Sequence, residues 1–191
     1  MKNYQVRVIG GRWRGRRIDF PHLEGIRPTP DRVRETVFNW LMHEIVGANC
    51  LDAFAGSGAL GIEALSRGAK EVVFIDQSSE VVKSIKATLT TLSPELKSYQ
   101  VLMRNTQAWL EKTPATPFDV VFLDPPFSQE YLATCLVLLL DNGWLGSGAI
   151  IYLEHEVGWV LPEALAPRLT SHRSQTVGEV VFSLYRIEDT F

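Results

Sequence analysis

The sequence predicts a doubly wound α/β sandwich, and three features predict it. Five short apolar runs, at 50–54, 72–75, 101–103, 118–123 and 149–153, alternate with segments of helical periodicity, and strands this apolar suit a parallel sheet covered on both faces. A glycine-rich turn follows directly on the first of these runs. Near the end the rhythm breaks: 169–174 and 179–187 are extended runs joined through Thr176-Val177-Gly178 with no helix between them, so an antiparallel hairpin is expected to close the sheet.

Taken in order, residues 4–20 read as two extended runs around Gly10-Gly11, a dipeptide that permits a two-residue hairpin turn. This predicts an N-terminal β-hairpin arm over 1–28, ahead of a working domain at 29–191. Thr29 can cap the next helix and Pro30 suits its first position, while Val33, Val37, Phe38, Leu41 and Ile45 recur on one face and Gly47 ends it. Further helices are expected at 59–67, 79–92, 106–112 and 129–140.

At 191 residues, 46% hydrophobic and 21% charged, the chain fits one complete core. Its longest apolar candidate, around Cys135 to Leu140, stops at Asp141 and Asn142, and its first residues are too polar for a secretory leader, so a cytoplasmic protein without a membrane span is expected. Cys50 and Cys135 lie in apolar stretches without metal-ligand spacing, which predicts buried thiols and no metal site. The net charge of −3 conceals an asymmetry: residues 1–34 carry nine Lys or Arg against three acids, and the remainder has nine more acids than bases. A basic arm on an acidic body suits binding to a polyanion.

Two motifs carry chemistry. In Asp52-Ala53-Phe54-Ala55-Gly56-Ser57-Gly58-Ala59-Leu60-Gly61, glycines let a nucleoside ligand approach the backbone where a helix offers free N–H groups. Asp76, about twenty residues on, can accept hydrogen bonds from both hydroxyls of a ribose. The glycines alone spell GxGxxG and fit a dinucleotide as well as S-adenosylmethionine; the carboxylate of Asp52 near the ligand's charged end favours the sulfonium and ammonium over a pyrophosphate. Asp124-Pro125-Pro126-Phe127 follows the fourth apolar run on the same sheet edge. Prolines cannot donate, so the Asp124 carboxylate and Pro125 carbonyl can each accept a hydrogen from an exocyclic amino group, and Phe127 can stack on the base that bears it. The chemistry would be mainly positioning. Glu154 lies on the same edge, where it could assist or simply be solvated.

Together these motifs, with 8–16, 27–41 and Arg67-Gly68-Ala69, resemble the class I S-adenosylmethionine-dependent methyltransferases and, within them, the RsmD family of bacterial ribosomal RNA guanine-N2 methyltransferases. The resemblance covers nearly the whole chain. It implies a Rossmann-like, mostly parallel seven-stranded sheet, S-adenosylmethionine as donor with S-adenosylhomocysteine as product, and a guanine of small-subunit ribosomal RNA as acceptor. By position it implies that Asp52, Gly56 and Gly58 contact the amino-acid end of the cofactor, Asp76 the ribose, and Asn105 or Thr106 the adenine, with Thr29 approaching the methionine end; Phe54, Ser57, Gln77 and Asp124 complete the cofactor-binding set. Related enzymes often place an acid where this chain has Asn105.

In the arm, Arg12, Trp13, Arg14, Arg16 and Arg17 mix cations with an aromatic and are candidates for RNA contact, joined by Arg32 and Arg34. Trp13 could instead pack on the body, and Arg32 or Arg34 could pair with a carboxylate. The Asp124 tetrapeptide also occurs in adenine-N6 enzymes, so an adenine-N6 methyltransferase acting on DNA or RNA is the alternative. An NAD-dependent oxidoreductase would leave the tetrapeptide and the arm without a role, and a non-catalytic RNA-binding protein would not need cofactor contacts. A monomer acting on small-subunit ribosomal RNA, within a ribosomal particle or an assembly intermediate, is expected.

Overall fold

The computed structural model describes residues 4–20, 29–125 and 129–188, and within them the doubly wound architecture is present. Strands β3 (Asn49–Asp52), β4 (Glu71–Asp76), β5 (Tyr99–Met103), β6 (Phe118–Leu123), β7 (Leu145–Glu156), β8 (Leu169–Val177) and β9 (Val180–Ile187) form one sheet in the order β5-β4-β3-β6-β7-β9-β8. From β5 to β7 the pairs are parallel; β9 runs antiparallel to β7 and β8 antiparallel to β9, as the helix-free tail predicts. A separate two-stranded sheet pairs β1 (Tyr4–Arg7) with β2 (Arg17–Phe20). The helices are α1 (Asp31–Trp40), α2 (Ala59–Ser66), α3 (Ser79–Leu92), α4 (Thr106–Leu110) and α5 (Gln129–Asp141). Among the described residues no helix is long and apolar enough to cross a membrane.

Alternation along the strands divides the core in two. Cys50, Phe74, Val120, Phe122, Ile150 and Tyr152 face α1, α2, α3 and the hairpin, whereas Leu51, Val73, Val121, Leu123 and Ile151 face α4 and α5. Both cysteines are free and buried, as expected. From β3 the chain crosses through α2 to β4 on one side; from β6 it crosses through α5 to β7 on the other. The carboxyl ends of β3 and β6 therefore flank the point where the winding reverses, which is where open α/β sheets place their ligands.

Helix α3 begins where its sequence signals it: Ser78 Oγ accepts from Val81 N at 3.4 Å and Glu80 lies in the first turn. Helix α1 departs from expectation at both ends. Thr29 does not cap it; Pro30 is the cap residue, and the Thr29 carbonyl accepts from Arg34 Nε at 3.1 Å. The helix stops at Trp40, and Gly47 instead takes φ 81° and donates to the Gly68 carbonyl, steering the chain into β3.

The arm is a hairpin, but not one closed by a two-residue turn at Gly10-Gly11. The register pairs Arg7 with Arg17, so nine residues connect the strands, and Gly11–Trp13 form a 3-10 turn. The glycines serve close approach instead. A Cβ on Gly11, at φ 71°, would lie 2.0 Å from the Ser66 carbonyl oxygen, and one on Gly10 would lie 2.6 Å from the Arg67 guanidinium. Ser66 Oγ accepts from Trp13 N at 3.0 Å and donates to the Gly10 carbonyl at 2.6 Å, which presses this loop onto the last turn of α2.

Candidate functional site

The glycine turn begins where β3 ends. Gly56 and Gly58 adopt φ 50° and 74°, so the chain reverses sharply into α2, whose cap residue, Gly58, has no side chain to satisfy the first N–H groups. Asp52 supplies the missing acceptor from the strand: its Oδ2 accepts from Gly61 N at 2.9 Å. Gly61 is also required for packing, since a Cβ there would come within 2.2 Å of the Phe74 ring. Asp76, at the end of β4, accepts from Gly56 N at 3.0 Å and from Ser78 N at 2.8 Å, tying the turn to the start of α3.

These bonds bear on the ligand. Two N–H groups of the turn are already committed to the protein's own carboxylates, a poor arrangement for a pyrophosphate. An ionised carboxylate has about four lone-pair sites, so Asp76 retains acceptors for vicinal hydroxyls and Asp52 adds negative charge suited to a cation. The donor set fits S-adenosylmethionine and disfavours a dinucleotide.

Asp124 follows directly on β6. The β3–β6 register pairs Asp52 with Phe122, and the β6–β7 register pairs Phe122 with Tyr152 and Leu123 with Leu153. Asp124 and Glu154 are thus the next position along neighbouring strands, two residues on from Phe122 and Tyr152 and on their face of the sheet. The Tyr152 hydroxyl donates to Glu154 Oε2 at 2.7 Å, and its ring packs edge-on against Phe122, 6.2 Å between centroids. Desolvation raises the Asp124 carboxyl well above the usual range, and the charges of Glu154 and Asp52 add to it. Glu154 is raised by desolvation, with the Tyr152 hydrogen bond opposing. Asp52, buried, is pushed up to about 7 by desolvation, against the Gly61 hydrogen bond and with help from Asp76. Pro125 is buried; Pro126 and Phe127 lie outside the described residues.

The remaining candidates divide. Ser57 is buried and its hydroxyl accepts from Ala59 N at 3.3 Å, while Gln77 is exposed on the site edge. Asn105 caps α4, accepting from Ala108 N at 3.0 Å, and its amide donates to the Tyr131 hydroxyl at 3.3 Å. Thr106 is buried with its hydroxyl on the Ala53 carbonyl at 2.5 Å, so of the two adenine candidates only Asn105 presents a side chain. Thr29 is buried. Phe54, half-buried, meets Tyr131 edge-on at 6.1 Å. Tyr131, which joins Phe54 and Asn105 at the mouth of the site, was not legible because its partners lie on other elements and no motif surrounds it.

Of the RNA candidates, Arg12, Arg14, Arg16, Arg17 and Arg32 are exposed. Arg12 lies over the Trp13 ring at 4.3 Å, and Arg17 donates to Gln5 Oε1 at 3.2 Å. Arg16 and Arg17 border a groove of about 340 Å³ between β2 and α3. Trp13 and Arg34 leave the candidate set, because both are buried. The Trp13 ring belongs to the core, and Arg34 pairs with Asp31 at 2.6 Å and Glu63 at 3.5 Å and donates to the Arg7 carbonyl at 2.8 Å. Glu63 is the residue that sequence reasoning missed. Fully buried, it accepts from Ile9 N, Gly10 N and Arg67 Nε, each at 2.7 Å. Its signal was a lone acid in the otherwise apolar run Ala59-Leu60-Gly61-Ile62-Glu63-Ala64-Leu65, where a charge must find partners.

Residues 6–186 match the family model described as Conserved hypothetical protein 95. The chain is 46% identical over 184 residues to Ribosomal RNA small subunit methyltransferase D of Escherichia coli K12, covering 96% of this chain and 91% of that protein. It is 43% identical over 183 residues to the protein of the same name in Haemophilus influenzae, covering 95% and 94%. The solved E. coli structure of yhhF superposes with a TM-score of 0.86 at 44% identity, over 98% of this chain and all of that one. The glycine turn braced by Asp52 and Asp76, the Asp124 corner beside it and these relatives agree: the chain belongs to the RsmD-type family of S-adenosylmethionine-dependent methyltransferases.

Proposed function

We propose that the protein, working as a monomer, methylates the exocyclic N2 amino group of one guanine in small-subunit ribosomal RNA, within a ribosomal particle or its assembly intermediate. The observation that carries this reading is the placement of Asp124 and the Pro125 carbonyl beside the glycine turn where the winding reverses. S-adenosylmethionine supplies a methyl group already activated by its positive sulfur. Asp52, Gly56, Ser57 and Gly58 hold its charged end with Thr29 and Asp124 nearby, Asp76 and Gln77 its ribose, and Phe54 and Asn105 its adenine, with Tyr131 completing that wall. Asp124 and Pro125 accept the two amino hydrogens and aim the nitrogen lone pair at the methyl; Pro126 and Phe127, outside the described residues, are assigned with them to the target base, Phe127 as its stacking partner. Methyl transfer would leave the carbon–sulfur electron pair on the sulfur of S-adenosylhomocysteine and a positive charge on the nitrogen, whose surplus proton would pass to the Asp124 carboxylate and from there to water. Asp124 stabilises that charge. A paired guanine must first leave its helix.

The test is transfer of labelled methyl to small-subunit particles lacking the modification, with the product nucleoside identified by mass spectrometry. N2-methylguanosine supports the reading, whereas N6-methyladenosine would replace the base and keep the mechanism.

Arg12, Arg14, Arg16, Arg17 and Arg32 are assigned to the RNA backbone. Replacing Arg14 and Arg16 together with Ala is expected to weaken RNA binding most at low salt and to make the plot of log affinity against log salt shallower by roughly 1.4, since each phosphate contact on a single strand contributes about 0.7. Parallel plots would remove these residues from the interface.

Cofactor affinity is expected to depend on Asp52. In the free protein this carboxyl holds its proton up to about pH 7, and a bound cation favours the anion, so affinity should rise with pH and level off above about 7. Calorimetry in buffers of different ionisation enthalpy should show proton release at pH 6 and little at pH 8, with the difference lost in Asp52→Asn. Stability moves oppositely. The unfolded carboxyl ionises near pH 4 and the folded one near 7, so this group's contribution to stability declines between those values.

A further inference from the structure

We infer that Glu154, held by the Tyr152 hydroxyl, reads the N1–H of the target base and so selects guanine over purines whose N1 is an acceptor. This rests on the guanine reading above. Asp124 and Glu154 occupy the next register position of neighbouring parallel strands, where backbones lie about 4.8 Å apart and side chains on one face stand side by side. Once both are ionised, two carboxylates at that spacing present acceptors only. The Tyr152 hydroxyl, 2.7 Å from Glu154 Oε2, fixes the carboxylate from the sheet side, and the Tyr152 ring is itself locked against Phe122. An ionised carboxylate bonded once still has acceptor sites.

Guanine offers three donors in a row along this edge: the two amino hydrogens on N2 and the hydrogen on N1. Asp124, the Pro125 carbonyl and Glu154 provide three acceptors. Adenine offers two amino hydrogens, but its N1 is an acceptor, so Glu154 facing it either meets a lone pair as an unpaired anion or must keep its proton, whereas guanine is read by the ionised carboxylate directly. Leaving a charged acceptor unsatisfied is the costly case. The crowding of acids that raises the Asp124 and Glu154 carboxyls is relieved when donors arrive.

The probe is 2,6-diaminopurine, which keeps the N2 amino group but carries an acceptor at N1. Once the modified position is mapped, substrates are prepared with guanosine or 2,6-diaminopurine riboside there, and kcat/KM for N2 methylation is measured with both. Wild type is expected to prefer guanosine by roughly 10- to 100-fold, the range of one hydrogen bond to a charged group. In Glu154→Gln the amide can turn its NH2 toward an acceptor N1, so that preference should fall to within about threefold while cofactor affinity, the check on folding, stays at the wild-type value. An unchanged preference in Glu154→Gln, or none in wild type, overturns the inference. If Glu154→Gln loses cofactor affinity, Tyr152→Phe is read instead: it frees Glu154 without removing it and should lower the preference, and an unchanged ratio again overturns the role. Failure of wild type to form N2-methylguanosine on the guanosine substrate would be a different result, removing the guanine reading itself.

Discussion

Asp124→Ala is expected to lower kcat/KM for methyl transfer by about a thousandfold or more, because it removes the acceptor that orients the amino nitrogen and stabilises the charge that builds there. Asp124→Asn keeps one acceptor oxygen and should retain more activity than Ala. A stability measurement separates this loss from unfolding. Desolvation and the charges of Glu154 and Asp52 raise the folded Asp124 carboxyl, so from the ordinary carboxylate range upward the unfolded chain binds fewer protons than the folded one and stability falls with pH. Either substitution should therefore leave the protein at least as stable at neutral pH as wild type. An inactive variant with an unchanged or higher unfolding midpoint is the expected pair of results. Near-wild-type activity in Asp124→Ala would remove Asp124 from the reaction.

The second large effect lies away from the chemistry. Glu63→Ala removes the acceptor shared by two backbone N–H groups of the arm and by Arg67, and leaves the fully buried Arg34 with Asp31 as its remaining carboxylate partner. Breaking a buried ion pair in this one-sided way costs about 3–5 kcal/mol. Glu63→Gln should do little better, because its amide NH2 would face donors. Chemical denaturation measures the cost, and Trp13, whose backbone N–H donates to Ser66 Oγ, reports through its fluorescence whether the arm lifts away before the sheet unfolds. A loss below about 1 kcal/mol would mean that the arm is held by its apolar contacts and the Ser66 hydrogen bonds without need of Glu63.

Much of the fold was legible because its signals are local. The Ser78 cap, Glu80 and the apolar spacing of Val81, Val82, Ile85 and Leu89 define α3 within its own fourteen residues, and the apolar run 118–123 followed by prolines defines β6 and its end. Asp52, Asp76 and Asp124 were legible because each sits where a strand stops. What was misread depends on partners far along the chain. Gly10-Gly11 has the local character of a turn, yet Gly11 is required by the Ser66 backbone and Gly10 lies against the Arg67 guanidinium, more than fifty residues away. Arg34 looks like one more cation in a basic region until Glu63 is brought against it, and Trp13 looks like a stacking residue until the last turn of α2 receives it. Tyr131 and Asn105 come from different helices, twenty-six residues apart, and no local pattern joins them.

Helix α2 is eight residues long, about 12 Å, and everything on it is spoken for: Gly61 by Asp52 and Phe74, Glu63 by the arm and two arginines, Ser66 by Trp13 and Gly10. Inserting or deleting a single residue would rotate one end against the other by about 100°, so that Glu63 and Ser66 could no longer meet the arm while Gly61 met the strand. Its length is therefore fixed in a way that few other segments are. The loop between α3 and β5 can change in length without moving these partners, but α2 has to be inherited as a gauge of constant size, and any register change in it must arise together with a new arm.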